Sequence, residues 1–494
     1  MAALGSLIFL SASTAAVLAV VRRLRRPGAE PFGSARFASP SDVLQSGLTA
    51  RRGIFIGRYQ RRDLFLDGQR FVLVAAPTRS GKGVSVVIPN LLRFEGSAVV
   101  LDVKRENFAL TAGWRAACGQ RVFLFDPFAE DLRTHRYNPL DTLSPDARFR
   151  VGDVQAIAQI LYPDNPRDRF WNEQARNLFL GLVLYLYETP GMPCTLGQVV
   201  REAGASERGL RATLEQRVRS QVDRPSPLSA DCRGALARFL ANGDSTFSGI
   251  VAALNAPLLA FANPIVDAAT SASDFSLAEV RRMPTTIYIG VAPSRLADAA
   301  RLINLMFAQL VLLNTRALPD VEAGETLQCL LLLDEFTALG PVPIIVDAMP
   351  YLAAYQLRLL TIVQSTSQLE SVYGVAAART FVTNHGLQVV FAPRDQRDAE
   401  DYSRALGTFT EAIESRASSI SWTSASLTRS RFSTPHARAL LLAQEVKMLG
   451  ADKALVFLEN TPPILVDRSR YFEDPTCRAR LLPAPVVPQI ELSR

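Results

Sequence analysis

Apolar residues in this chain gather into short solid runs, not into long alternations with polar ones. Such runs are FVLVA (71–75), SAVVLD (97–102), RVFLF (121–125), TTIYIG (285–290), CLLLL (329–333), LRLLTIV (357–363), LQVVF (387–391) and KALVFL (453–458). A strand without alternation is covered on both faces, the pattern of a parallel sheet with helices on each side. Most of these runs are followed by helix-forming stretches, which predicts repeated strand-then-helix units and a mostly parallel, doubly wound α/β sheet. Several end in polar or acidic residues: Asp102, Asp126, Asp334 with Glu335, and Gln364. In such sheets ligands bind beyond the carboxyl ends of the strands.

Between residues 150 and 275 the strand signal fades. WNEQARNLFLGLVLYLYET (171–189) has a wide apolar face and reads as a buried helix, as do GALARFLANGD (234–244) and FSGIVAALNAPLLAF (247–261). The division predicted is a membrane anchor and basic flank (1–26), a linker rich in Pro, Gly and Ser (27–50), and a nucleotide-binding domain in two parts (51–149 and 276–475). An all-α domain (150–275) is inserted between those parts, and a tail (476–494) follows. Residues 2–21 carry no charge and as a helix would extend about 30 Å, one bilayer crossing. RRLRR (22–26) follows and would hold that side in the cytoplasm. A cleaved signal peptide is the alternative, but no charge precedes the apolar run. Residues 411–434, rich in Ser, Thr and Arg, read as a hairpin or loop touching DNA, or more simply as a solvated loop between sheet elements.

Composition narrows the chemistry. The 494 residues carry a net charge of +7, which suits a nucleic acid, an acidic lipid or an acidic partner. Five scattered cysteines form no CxxC pair, so neither a zinc site nor a disulfide framework is suggested. Three scattered histidines give no metal spacing.

The turn after FVLVA is PTRSGKG (77–83). Against the phosphate-loop pattern GxxxxGK[ST], Ala76 stands at the first glycine, Gly81 and Lys82 match, and Gly83 replaces the hydroxyl residue. Backbone N–H groups across Thr78, Arg79, Ser80, Gly81, Lys82, Gly83 and Val84, with the positive end of the next helix, would cradle phosphate. Lys82 would reach the β and γ phosphates of ATP. The hydroxyl that holds Mg²⁺ is missing, and Ser85 is the nearest one downstream. CLLLLDEF (329–336) has the shape of a Walker B strand. Asp334 would hold Mg²⁺ through water, Glu335 would polarise the attacking water, and Gln364 would sense the γ phosphate or orient water. The plain alternatives are a glycine turn with a surface lysine, and an acid pair that caps the next helix.

Taken together and in order, several stretches resemble the TraG-type coupling proteins of type IV secretion and conjugation systems. They are GSARFAS (33–39), APTRSGKGVSVVIPNLL (76–92), VVLDVKREN (99–107), DPF (126–128), YNPLD (137–141), WNEQARNLF (171–179), LLLDEFTALG (331–340), IVQSTSQLESVYG (362–374) and TNHGLQVVFAPRDQRDAEDYSRALG (383–407). The resemblance implies a RecA-like P-loop ATPase in the bacterial inner membrane, with a cytoplasmic motor that forms homohexamers around a channel. It implies ATP and Mg²⁺ as cofactors. It also implies delivery of a relaxase-bound single strand of DNA, or of effector proteins, to other secretion components, with the all-α domain helping to recognise cargo. In this family Gly after the Walker lysine is common. A neighbouring subunit would supply an arginine, for which Arg394 is one candidate. The chain departs from the family in having one expected span where relatives have two. It also reads Asp102-Val103-Lys104-Arg105-Glu106 where the family reads DPKGE. Two other readings stand: a cargo receptor that is not itself a motor, and an FtsK-like chromosome-segregation pump, for which no C-terminal winged-helix signal is found.

Overall fold

Leu73, Ala75, Val99, Leu101, Leu331 and Leu333 pack into one apolar core, while Val72, Val74, Ala98, Val100, Leu330 and Leu332 pack into another. That period of two places the residues on opposite faces of a single sheet, both covered. The computed structural model describes residues 30–204, 207–220, 228–320, 322, 325–421 and 426–492. The expected anchor (2–21) and its basic flank lie outside the described residues.

The strands are β1 (Ile54–Tyr59), β2 (Arg62–Leu66), β3 (Val72–Ala75), β4 (Ser97–Asp102), β5 (Arg121–Phe125), β6 (Thr285–Gly290), β7 (Cys329–Leu333), β8 (Leu357–Val363), β9 (Leu387–Val390), β10 (Thr408–Ser421), β11 (Ser426–Ala439), β12 (Lys453–Leu458) and β13 (Ile464–Asp467). Eleven form one sheet in the order β2-β1-β13-β12-β9-β3-β8-β7-β4-β6-β5. From β9 to β5 every neighbouring pair is parallel. In register, Ala75 lies opposite Val363, Thr361 opposite Leu333, and Leu333 opposite Leu101. The carboxyl ends of β3, β8, β7 and β4 are therefore level, and the segments that follow them open onto one edge.

The rest of the sheet is antiparallel. KALVFL, expected as a strand of a mostly parallel sheet, is β12, and it pairs antiparallel with β9 and with β13. An apolar run reports burial, not direction. β1 and β2 extend the sheet as a hairpin whose two turn residues, Gln60 and Arg61, take φ of +47° and +68°. Two left-handed residues match the twist of such a hairpin. The segment expected by preference as a solvated loop at 411–434 instead runs through β10 and β11, a separate two-stranded sheet. Its base is bridged to the linker, Phe409 opposite Ser34. Residues 422–425 lie outside the described residues.

Helices from Ala147–Leu161 through Pro264–Ala269 lie in the chain between β5 and β6. Their centre is Arg169–Glu188, buried from Leu178 to Leu186. It meets Ala230–Leu240 at Gly181, where a Cβ would stand 2.8 Å from Leu236 Cδ2, so a larger residue would have to push that leucine end aside. Among the described residues, Asp244–Ala262 and Pro293–Asn314 are long and apolar enough to cross a membrane by length and composition. Phe247, Ile250 and Leu254 of the first and Leu302, Ile303 and Met306 of the second lie in the protein core, as in core helices.

Candidate nucleotide site

The loop after β3 is tied down at its start, where Ala76 N–H donates to the Val363 carbonyl at 2.8 Å. It then folds back through Arg79 (φ +57°) and Gly81 (φ +83°). Glycine takes this conformation freely, and arginine only at a cost. The helix that follows begins with a widened turn, in which Ile88 N–H bonds to the Gly83 carbonyl five residues back. Pro89 explains the widening. It has no N–H to offer the Ser85 carbonyl, so the ordinary spacing cannot continue. The Val84 carbonyl is met from outside, by Tyr471 N–H at 3.1 Å.

This geometry carries Lys82 to the ends of two other strands. Its Nζ lies 2.7 Å from Glu335 Oε1 and 3.1 Å from Asp334 Oδ1. Gln364, just past β8, donates through Nε2 to Glu335 Oε2 at 3.0 Å. Four side chains spread over 283 positions of sequence thus meet at one edge of the sheet. Glu335 itself has φ +54°, a strained conformation for a non-glycine residue and one that clusters at functional sites.

The electrostatics separate the two acids. Burial pushes Asp334 above the usual carboxylate range, and the Lys82 ammonium beside it only partly opposes this. For Glu335 burial also pushes upward, but hydrogen bonds from Lys82 and Gln364 and the Lys82 charge outweigh it and leave the group below its usual value. Glu335 therefore stays ionised at neutral pH. Asp102, at the neighbouring end of β4, is pushed up to about 6 by burial, with the Asp334 charge adding to it. Its carboxylate accepts from the N–H of Phe108 at 2.8 Å and of Asn107 at 3.3 Å, which caps the helix Glu106–Ala117. Where the family has glycine in DPKGE, Arg105 adopts φ +55°. The turn is left-handed here, and the Arg105 guanidinium bonds to Asp126 at 2.6 Å.

Thr78 and Arg79 are exposed and Ser80 half-buried. Arg394 donates to the Thr78 carbonyl at 3.0 Å and to Thr78 Oγ1 at 3.3 Å. It therefore sits on its own chain's loop. Ser85 does not replace the missing hydroxyl. Its Oγ donates to the Gly81 carbonyl at 2.9 Å and accepts from Arg468 at 3.2 and 3.3 Å. Sequence reasoning missed Arg468 entirely. It lies 383 positions from Ser85, and nothing in its own neighbourhood marks it.

The residues fit a polyphosphate. Ser80 Oγ is buried with no hydrogen-bond partner, in the loop that carries Lys82. A Cβ placed on Gly83 would meet nothing within 4 Å, so the loop is open on that side. Among the described residues no three His, Cys, Asp or Glu gather to hold a metal ion. One carboxylate, Asp334, fits Mg²⁺ that arrives with its other ligands on phosphate and water.

The protein family described as "Type IV secretory system Conjugative DNA transfer" matches residues 36–490. Protein VirD4 of Agrobacterium fabrum strain C58 is 32% identical over 461 residues, 90% of this chain and 66% of that protein. Protein VirD4 of Rhizobium radiobacter is 33% identical over 413 residues, 82% of this chain and 57% of that protein. Conjugal transfer protein TraG of Escherichia coli is 30% identical over 506 residues, 92% of this chain and 79% of that protein. The chain thus spans between 57% and 66% of the length of these VirD4 relatives. Among solved structures, the bacterial conjugative coupling protein TrwBdeltaN70 superposes with a TM-score of 0.62 at 19% identity, covering 90% of this chain and 95% of that one. TrwB in complex with a non-hydrolysable ATP analogue gives 0.59 at 19%, covering 90% and 96%. These likenesses establish the fold, a mostly parallel α/β sheet of the TrwB kind. A family match that runs through every strand of the sheet, from the linker to the tail, identifies this chain as a member of the type IV secretory system conjugative DNA transfer family, that of the TraG and VirD4 coupling proteins.

Proposed function

We propose that this chain is an inner-membrane ATPase that couples DNA, effector proteins or both to a type IV secretion channel. The observation that carries the reading is the meeting of Lys82, Asp334, Glu335 and Gln364 at the carboxyl ends of β3, β7 and β8. Lys82 is the mobile charge for the β and γ phosphates, and it leaves its two carboxylates when a polyphosphate enters the loop. Glu335, ionised and oriented by Gln364, accepts a hydrogen bond from the attacking water. When bound, Mg²⁺ would neutralise charge on the β and γ oxygens, with Asp334 as its protein ligand. Gln364 links Glu335 to β8 and so ties the hydrolysed bond to the middle of the sheet. Membrane anchorage by residues 2–21, a cytoplasmic motor, a homohexamer and relaxase-bound single-stranded DNA as cargo belong to the same proposal. Their support is the family, whose members' names describe conjugal transfer. Because Arg394 holds its own loop, another arginine would complete the site from a neighbouring subunit.

The test is ATP turnover by the full chain in detergent, with and without single-stranded DNA. Hydrolysis that DNA stimulates, and that Lys82→Ala or Glu335→Gln abolishes, is expected. Turnover unchanged in both variants would overturn the site. Tight cargo binding with no hydrolysis by the wild type would favour a receptor without a motor.

A further inference from the structure

Arg468, the first residue after β13, is the strongest group near the site that the mechanism above does not use. Its guanidinium reaches three separate segments. Nη2 bonds to the Ser80 carbonyl and, at 3.2 Å, to Ser85 Oγ; Nε bonds to Ser85 Oγ at 3.3 Å; Nη1 bonds to the Ala451 carbonyl at 2.7 Å. The guanidinium lies over the Phe391 ring, 3.8 Å from its centroid. A Cβ on Gly81 would stand 2.8 Å from Nη2, so the arginine presses directly against the loop. Every one of these acceptors is neutral. The charge is therefore not cancelled by its hydrogen-bond partners; burial and the neighbouring Arg470 push the group down to about 10, and the Asp452 carboxylate only partly opposes them. At neutral pH it is still a cation.

The consequence follows from peptide geometry. The bond between Ser80 and Gly81 is planar and trans, so its carbonyl and its N–H point opposite ways. Fixing the Ser80 carbonyl on Arg468 turns the Gly81 N–H away from Arg468. The Ser85 contact holds the start of the helix, and the Tyr471 N–H bond to the Val84 carbonyl pins the same turn from the same segment. We infer that Arg468 is a positioning residue of the phosphate loop. It presets the direction of the Gly81 N–H and places a positive charge behind the loop, so that polyphosphate binds to a loop already shaped for it. Only a planar fork can serve three neutral oxygens and stack on Phe391 together, so lysine cannot substitute. This inference rests on the ATP reading of the same site.

The experiment compares full-length wild type, Arg468→Ala and Arg468→Lys, with Arg470→Gln as the control. Arg470 is the exposed neighbour, paired with Glu473. Three quantities are read: KM and kcat for ATP, pyrophosphate affinity by calorimetry, and the thermal midpoint without ligand. Both Arg468 variants should raise KM and weaken pyrophosphate binding by about tenfold, the loss of one charge-assisted contact. kcat should stay within about twofold, and millimolar guanidinium should restore Arg468→Ala. Arg470→Gln should match the wild type. Unchanged KM and pyrophosphate affinity in Arg468→Ala would overturn the inference, as would full rescue by lysine. So would kcat falling alone in step with a lowered thermal midpoint, the mark of a purely structural role. If the wild type binds pyrophosphate without hydrolysing ATP, and Arg468→Ala loses that binding, the ATPase reading falls and the positioning role stands. If the wild type binds neither, both fall.

Discussion

Replacing Lys82 by Met tests the convergence of strands without presuming any hydrolysis. Methionine keeps most of the aliphatic stem and removes the charge. In the native protein the ammonium lies 2.7 and 3.1 Å from two carboxylates, and the three side chains are only 11%, 19% and 22% exposed. At an effective dielectric of about 20, each contact carries a gross attraction of roughly 5–6 kcal/mol. Desolvation of the three charges offsets most of it. Taking away the cation leaves two adjacent, partly buried carboxylates with nothing to balance them, a loss of about 3 kcal/mol at neutral pH. The pH dependence has a definite sign. Glu335 is held below its ordinary value, so its stabilisation is fully present above its unfolded value and is lost as pH falls through the lower folded one. Asp334 is raised by burial even with Lys82 present, so its ionisation already opposes folding, and more so without the ammonium. The variant therefore regains stability when acid protonates both groups. The gap between wild type and Lys82→Met should be widest near pH 8 and should close toward about pH 4. Thermal or urea unfolding midpoints of the full chain across that range measure it. A gap that does not vary with pH would refute the claim that Lys82 faces these acids.

Three further outcomes follow from the same edge of the sheet. Gln364→Ala removes the 3.0 Å bond that orients Glu335 and should lower kcat about tenfold while leaving nucleotide affinity unchanged; weaker ATP binding in a fluorescent-nucleotide titration would contradict that role. Gly83→Ser adds a hydroxyl where a Cβ meets nothing, so the Mg²⁺ concentration that half-supports turnover should drop, and an unmoved metal titration would show that the position does not face the metal. Asp102→Asn tests linkage at the end of β4. The native carboxyl is pushed up to about 6, so wild-type stability falls as pH rises from the unfolded value through about 6. Asparagine keeps one oxygen for the two N–H groups, a cost that does not vary with pH, so the variant's stability relative to wild type should rise by up to about 3 kcal/mol between about pH 4 and pH 8, as unfolding midpoints would report.

How much of this was legible depended on what each residue has to satisfy. Leu331, Leu333, Val74 and Leu101 announce themselves because strands buried on both faces admit almost nothing polar. Asp334, Glu335 and Gln364 stood out as polar residues that end such strands, and Lys82 through the glycines around it. Strand direction did not stand out. β12 carries an apolar run, Ala454–Leu458, of the same kind as β7, and its antiparallel direction shows only in its pairing with β9 and β13. β1 and β2 were hidden because their turn uses Gln60 and Arg61 where a glycine or asparagine would have flagged a hairpin. Arg105 departs from a glycine motif, yet it takes a left-handed angle that glycine adopts freely, and its guanidinium bonds Asp126.

The phosphate loop shows most clearly why a local motif can look degraded while the geometry is kept. Pro89 deprives the helix of an N–H and widens its first turn, which on local grounds should loosen the segment that carries Lys82. The segment is held from elsewhere. The Val84 carbonyl is bonded by Tyr471, Ser85 Oγ reaches back to the Gly81 carbonyl, and Arg468 clamps the Ser80 carbonyl and Ser85 Oγ from the antiparallel side of the sheet. The order that a Ser or Thr after the lysine and a regular helix would supply locally is supplied here by residues nearly four hundred positions away. The antiparallel extension therefore acts on the site, by bringing Arg468 and Tyr471 to the back of the loop. A substitution that loosens β13 from β12, such as one at Leu465 opposite Leu455, should then weaken polyphosphate binding although it touches no residue of the motif.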